Sequence, residues 1–218
     1  MRIRRKPWAR PELSACDYFI SEPEALRGEW QSRFGAERPI HLDLGCGKCP
    51  FLAEIAEKHR EINFVGIDIS LDILGVGRRN IETAYGDDVP DNVLLCAYNI
   101  EQLPKLFAPG EGVERIYINF CNPWPTARGH KKRLTHTRQL LSYKPILSDT
   151  GEIWFKTDND DLYLATKRYF AEAGFEIFFD TTDLHSMNDP ENVLTEHEVL
   201  FAGQGIKIKA LRARIAKK

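Results

Sequence analysis

Residues 39–50 read PIHLDLGCGKCP. An apolar strand-like run stops at the glycines Gly45 and Gly47, and CPFLAEIAEKH then takes up the apolar spacing of a helix. Strand, tight turn and helix make the opening unit of an α/β sheet. The unit recurs. Strand-like INFVGID, NVLLCAY, VERIYINF, EIWFKT, FEIFFDTT and IKIKALRARI are separated by helical runs such as LDILGVGRRNIETAY, THTRQLLSYKPIL and DDLYLATKRYFAEAG. The pattern predicts an α/β fold with a doubly wound, mostly parallel seven-stranded sheet. A helix is expected over EPEALRGEWQSRFG, ahead of the first strand. The alternation of the last strand slips between Ala210 and Leu211, which predicts a bulge there. Residues 1–38 read as a basic arm plus first helix, and 39–218 as the main domain, within a single structural unit.

The chain has 218 residues, enough to bury a core without staples. Five cysteines, no secretory leader and no apolar run of membrane-spanning length lead us to expect a cytoplasmic protein without a membrane partner. A formal net charge of −2 gives no bulk argument for nucleic acid. Its distribution does. Arg2, Arg4, Arg5, Lys6 and Arg10 surround Pro7 and Trp8, Arg128, Lys131, Lys132 and Arg133 follow NFCNPWP, and Lys207, Lys209, Arg212 and Arg214 line the last strand. Each cluster alone is usually a solvated face, whereas two on one side would track phosphates.

Polar residues fall at the carboxyl ends of the expected strands: the Gly45–Lys48 loop, Asp68, Asn99, Asn122 and Thr157-Asp158. In an open parallel sheet those ends share one edge, and ligands bind in its crevice. Asp68 follows Gly47 by 21 positions, as suits a carboxylate accepting two ribose hydroxyls. Pro50 stands where a dinucleotide site wants its third glycine, so a nucleoside cofactor without phosphates fits better. Asp43 favours a cationic ligand. S-adenosylmethionine has both properties. The single Cys46-x-x-Cys49 pair has no partner pair or suitably spaced histidine, so no metal is expected. In NFCNPWP, residues 119–125, two prolines bracketing Trp124 hold the chain extended just before the basic run, as would suit a base and its phosphates. The plainer readings are a tryptophan plugging the surface and an Asn122 that caps its own loop.

MRIRRKPWA, DLGCGK, GIDIS, NFCNPWPTARGHKKRL, WFKTDN and LTEHEVLF stand in the order and spacing of the bacterial tRNA (guanine-N7-)-methyltransferases, which the chain resembles over nearly its full length. The resemblance implies a Rossmann-like class I S-adenosylmethionine-dependent methyltransferase fold. It implies tRNA as partner and guanine N7 of a variable-loop guanosine as target, with a monomer or homodimer equally open. By position, Asp43, Gly45, Gly47, Asp68, Asn99 and Asn122 would line the cofactor site. Thr126, Asp158 and the box Thr195-Glu196-His197-Glu198 would approach the guanosine, and Arg128, Lys131, Lys132 and Arg133 would touch RNA. Asn122 takes the family's aspartate position and is the candidate catalytic residue. Other departures are Cys49 for a glycine, expected to narrow the approach to the methionine moiety, Thr126 and Ala127 for lysines, and His197 for an aromatic. Two other classes compete: a weakly active or non-catalytic RNA-binding paralogue, and a small-molecule methyltransferase or nucleotide-dependent oxidoreductase. The basic arm and Pro50 count against the second.

Overall fold

The computed structural model describes residues 5–217, so Arg2 and Arg4 lie outside the described residues. The chain begins with a short helix α1 (Ala9–Ser14) and a two-residue strand β1 (Phe19–Ile20). Then β2 (Ile40–Leu44), α2 (Pro50–Lys58), β3 (Asn63–Asp68), α3 (Leu71–Tyr85) and β4 (Val93–Ala97) form the first half. The second half runs β5 (Val113–Asn119), α4 (Thr137–Tyr143), β6 (Leu147–Thr157), α5 (Asp160–Glu172), β7 (Phe175–Thr181), α6 (Glu196–Ala202) and β8 (Lys209–Ile215).

Strand order in the sheet is β1-β4-β3-β2-β5-β6-β8-β7. Only β8 runs against its neighbours. The seven expected strands are all present, and β1 adds a minimal edge beside β4. Chain order reverses between β2 and β5, which makes their carboxyl ends the crevice where ligands enter such sheets. The sheet is covered on both faces. Leu13, Phe51, Leu52 and Leu74 build one core, and Trp30, Phe107, Tyr143 and Phe170 the other. Burial on both sides explains the unbroken Phe64–Ile67 run of β3 and the enclosure of His41 and Asp43 along with the apolar residues of β2.

Three expectations change. The segment 22–35 forms two 3-10 turns, Pro23–Leu26 and Trp30–Arg33, because Gly28 between them takes a left-handed φ of 88°. Trp30 is nevertheless fixed, stacking on Phe107 and donating from Nε1 to the Leu106 carbonyl at 2.8 Å. The bulge lies on β7, between Ile177 and Phe179, while β8 pairs without interruption with β6. The last-strand cations are not a phosphate track. Lys209 and Arg212 are buried, paired with Asp160 and with Asp189 and Glu191 respectively, while Lys207 pairs with Asp183 and Arg214 with Glu176.

The arm is tied to the body at α3. The Lys6 backbone N–H donates to Asp72 at 2.7 Å, the Arg79 guanidinium lies 3.7 Å from the Trp8 ring centroid, and Glu12 pairs with Arg78 and Arg79. Gly75 lets the helices meet: a Cβ there would overlap that of Ala9 and come within 2.9 Å of Ala9 Cα. Alanine normally improves a helix interior by about 1 kcal/mol over glycine. Here overpacking against backbone, typically about 1–3 kcal/mol, should win. Gly75→Ala should therefore lower stability in urea denaturation, and a gain would mean that α1 yields freely.

Candidate active site

Two cavities open at the switch point. The first, about 490 Å³, takes Asp43, the glycine loop, Phe51 and the segment Thr195–His197. The second, about 840 Å³, takes Asp68, Tyr98, Asn99, Asn122, Trp124 and Lys132. Their shared wall is Gly45, Asn119 and Phe120.

Gly45 and Gly47 have φ of 82° and 58°, so the loop turns back over the sheet edge as only glycine does cheaply. Asp68 is held from both sides. Its Oδ2 accepts from the Gly47 N–H at 3.2 Å and its Oδ1 from the Ser70 N–H at 2.9 Å. Burial raises its pKa, and these backbone donors partly offset that. Asp68 lines the second cavity. Asn99 caps the following 3-10 turn by accepting from the Glu101 N–H at 3.1 Å. Asp43 is fully enclosed, which pushes its carboxyl up to about 7 against the influence of Lys156.

Cys49 has a φ of 58°, a conformation that explains why a glycine is expected there. Its sulfur does not narrow the cavity, however. It turns toward α3, into the space left by Gly77, where an added Cβ would lie 2.5 Å from Sγ.

In the loop 119–125, Phe120 and Trp124 are left-handed, with φ of 50° and 43°. Such strain persists only where surroundings enforce it. Arg133 supplies the enforcement: Nε donates to the Pro123 carbonyl at 2.7 Å, and its guanidinium pairs with Asp161 at 2.6 Å. Its side chain is only 1% exposed, so Arg133 is an internal brace and cannot grip phosphate. Arg128, Lys131 and Lys132 are exposed, with Lys132 4.8 Å from the Trp124 ring centroid. Asn122 is exposed and does cap its loop, its Oδ1 accepting from the Trp124 N–H at 3.0 Å. Thr126 is exposed at the start of the 3-10 turn Ala127–Lys132.

The box divides by role. Thr195 and Glu198 form a reciprocal cap on α6, and Glu198 is wholly buried, bound to Lys156 at 3.0 Å. Glu198 therefore cannot reach a substrate. Glu196 is exposed and pairs with Lys48 at 2.9 Å across the first cavity, while the His197 ring stacks on Phe120 at 5.4 Å. Asp158 is half-buried at the end of β6, its carbonyl accepting from Lys209 at 2.9 Å, and it lines neither cavity. Sequence reasoning missed Asn119 and Phe120 as site residues and gave Lys48 no role beyond its place in the glycine loop. The strand-end rule already applied to Asn122 would have found Asn119.

The buried Asp43 carries a pH signature. Its carboxyl ionises near pH 4 in the unfolded chain but only near 7 in the fold. The folded state thus holds the extra proton between those limits, so stability should fall as pH rises from about 4 through about 7 and then level. Asp43→Asn should remove that part of the slope, giving a larger advantage over the parent at pH 8 than at pH 4 in chemical denaturation. Parallel profiles would assign the proton elsewhere.

A family model described as "Putative methyltransferase" matches residues 37–211. The chain is 50% identical over 215 residues to the tRNA (guanine-N(7)-)-methyltransferase of Clostridium beijerinckii, covering 98% of each chain. It is 46% identical over 221 residues to that of Ruminiclostridium cellulolyticum, covering 100% of this chain and 94% of the relative. A solved 16S rRNA (adenine(1408)-N(1))-methyltransferase with cosubstrate SAM, from Catenulisporales acidiphilia, has a TM-score of 0.55 at 16% identity and covers 95% of this chain and 91% of that one. That likeness speaks for the class I fold, which the strand order and the switch-point cavities share. Identity near one half, sustained from end to end, goes further: the chain belongs to the tRNA (guanine-N7-)-methyltransferase family.

Proposed function

We propose that the protein methylates guanine N7 in tRNA, at the variable-loop guanosine, with S-adenosylmethionine as methyl donor. The observation that carries this reading is the pair of joined cavities, one with Asp43 at its base and the other with Asp68 at its rim, in a chain of this family. The donor set fits the group. A buried carboxylate whose charge burial opposes is stabilised by a cationic ligand, and Asp68 retains acceptors for ribose hydroxyls. When bound, S-adenosylmethionine supplies an electrophilic methyl on a sulfonium. Guanine N7 has a free lone pair and no proton, so the chain needs no general base to make a nucleophile. Its residues act by orientation and field. Asp43 would hold the positive end, Asp68 and Asn99 the nucleoside, with Gly45 and Gly47 giving backbone access. Trp124, Thr195, Glu196 and His197, which line the cavities, would receive the guanosine, with Thr126 and Asp158 outside the two cavities meeting the nucleotide only at its periphery. We read the protein as cytoplasmic and as a monomer or homodimer, with residues 1–38 as arm and first helix and 39–218 as the methyltransferase domain.

Incubation with methyl-labelled S-adenosylmethionine and unmodified tRNA, followed by nucleoside analysis, should yield 7-methylguanosine. Cofactor binding with no methyl transfer to any tRNA would favour the RNA-binding paralogue instead. The full-length similarity to the named methyltransferases gives that alternative no support.

At Asn122 the loop takes the acceptor. With one Oδ1 lone pair on the Trp124 N–H, the amide keeps a single acceptor lone pair and no negative charge to set against the developing purine cation. An aspartate would serve Trp124 with one oxygen and the guanine with the other. Asn122→Asp should raise single-turnover methyl transfer about tenfold with less change in cofactor affinity. If neither Asp nor Ala at this position alters the rate, Asn122 is a loop cap alone.

Salt dependence tests the RNA contacts. Replacing Arg128 and Lys131 by glutamine should flatten the slope of log tRNA affinity against log salt by a little under about two units, leaving cofactor affinity intact. An unchanged slope would make them a solvated face. Arg133→Gln should instead lower thermal stability, because it removes the brace of the loop.

A further inference from the structure

Asn119 ends β5 in a conspicuous position. It pairs in register with Lys156 of β6, and the chain turns left-handed immediately after it at Phe120. Its side chain lies on the β5 face shared with Tyr117, which stands beside Asp43 in the β2–β5 register. Both cavities touch it. Yet Asn119 Oδ1 and Nδ2 are both shut off from solvent and find no hydrogen-bond partner among the described residues. An amide buried in this way normally has partners, and leaving it without them is destabilising. A fold that carries such a cost at the junction of two ligand cavities places the missing partner in the ligand.

The location narrows which part of the ligand. On the cofactor reading above, on which this inference rests, the cationic amino-acid arm lies toward Asp43 and the ribose toward Asp68. The atom joining those two parts is the sulfonium sulfur, so the sulfonium must pass the shared wall. Of the three wall residues, Gly45 and Phe120 offer no polar side-chain atom. We propose that Asn119 is a positioning residue for the methyl donor, its amide oxygen turned toward the sulfonium and the electron-poor methyl. Such contacts are individually weak, but a positive centre in a shielded cleft strengthens a carbonyl acceptor beside it. The terminal torsion of an asparagine is broad, so the amide can turn to meet the ligand without leaving its rotamer.

The test separates this role from a structural one. S-adenosylhomocysteine has the same arm and nucleoside but neither the methyl nor the positive charge on sulfur. Asn119→Leu keeps the volume and removes the orphaned polar atoms. In calorimetry it should weaken S-adenosylmethionine binding about tenfold while changing S-adenosylhomocysteine binding less than about twofold. The melting temperature of the ligand-free variant should hold or rise by a few degrees, since an unsatisfied amide has been replaced by an apolar side chain. Asn119→Asp, which keeps an acceptor oxygen, should restore the preference for the methylated form. Equal loss for both ligands, no loss for either, or a melting temperature lowered by several degrees would each overturn the proposal. Failure of the parent protein to bind either ligand would sink the cofactor reading, and the inference with it.

Discussion

The site depends on one buried ion pair. Lys156 leaves the centre of the sheet on β6 and places its ammonium among Glu198 at 3.0 Å, the Val193 carbonyl at 2.9 Å and Asn192 at 2.5 Å. Glu198 in turn accepts from the Thr195 backbone at 3.1 Å and from Asn192 at 3.2 Å, and its Oε1 lies 3.2 Å from His185 Nε2. Burial opposes the charge on each partner. The ammonium outweighs it for Glu198, whose carboxyl stays below its ordinary pKa, whereas the pKa of Lys156 is lowered by its enclosure. A pair of this kind adds little net stability, but removing one member strands the other at a cost of about 3–5 kcal/mol. The segment from His185 to Glu198, which has little regular structure, is thereby committed to one placement. Thr195, Glu196 and His197 stand over the first cavity for that reason.

The same economy governs the opposite rim. Cys49, Phe120 and Trp124 are left-handed without being glycine, and all three border or shape the site. Arg133 holds Trp124 through the Pro123 and Trp124 carbonyls it occupies, and Phe120 is fixed by its N–H donating to the Lys156 carbonyl at 2.9 Å. Cys49 is held by its fit against Gly77. Strain of this sort concentrates where backbone must be aimed, and it survives because buried contacts elsewhere outweigh it. The family glycine at position 49 and its replacement here are thus two solutions to one backbone requirement. The sulfur needs a cleft in α3, and Gly77 leaves one.

Elements fixed by local pattern were legible in the sequence. The apolar run of β3, Ile40, Leu42 and Leu44 of β2 and the 3.6-residue spacing of α3 report burial directly, and strand ends marked the crevice that Asp43, Asp68, Asn99 and Asn122 line. What escaped reading was set by long-range partners. Arg133 and Arg128 are indistinguishable in a basic run until Asp161, 28 positions away, takes one of them inside. Glu198 matches a substrate-facing box by position, but Lys156, 42 positions distant, consumes it. The helix expected over 22–35 failed for a local reason that propensity understates, a single left-handed glycine at position 28.

These reassignments reshape the electrostatics. The clusters at 128–133 and 207–214 supply eight cations on paper, yet Arg133, Lys209 and Arg212 are buried. Lys207 and Arg214 are already answered by acidic neighbours, so of these eight the cations left to meet a phosphate backbone are Arg128, Lys131 and Lys132, to which the arm adds the exposed Arg5 and Arg10. Counterion release scales with the number of phosphates neutralised, at about 0.9 unit of salt slope per contact on a duplex. A patch this small makes for modest nonspecific attraction on a chain whose formal charge is −2. On the proposed reading of the site, selectivity for the target comes chiefly from what happens after encounter, when a purine would be seated between a strained, braced loop and the His197–Phe120 stack, at the wall the two cavities share.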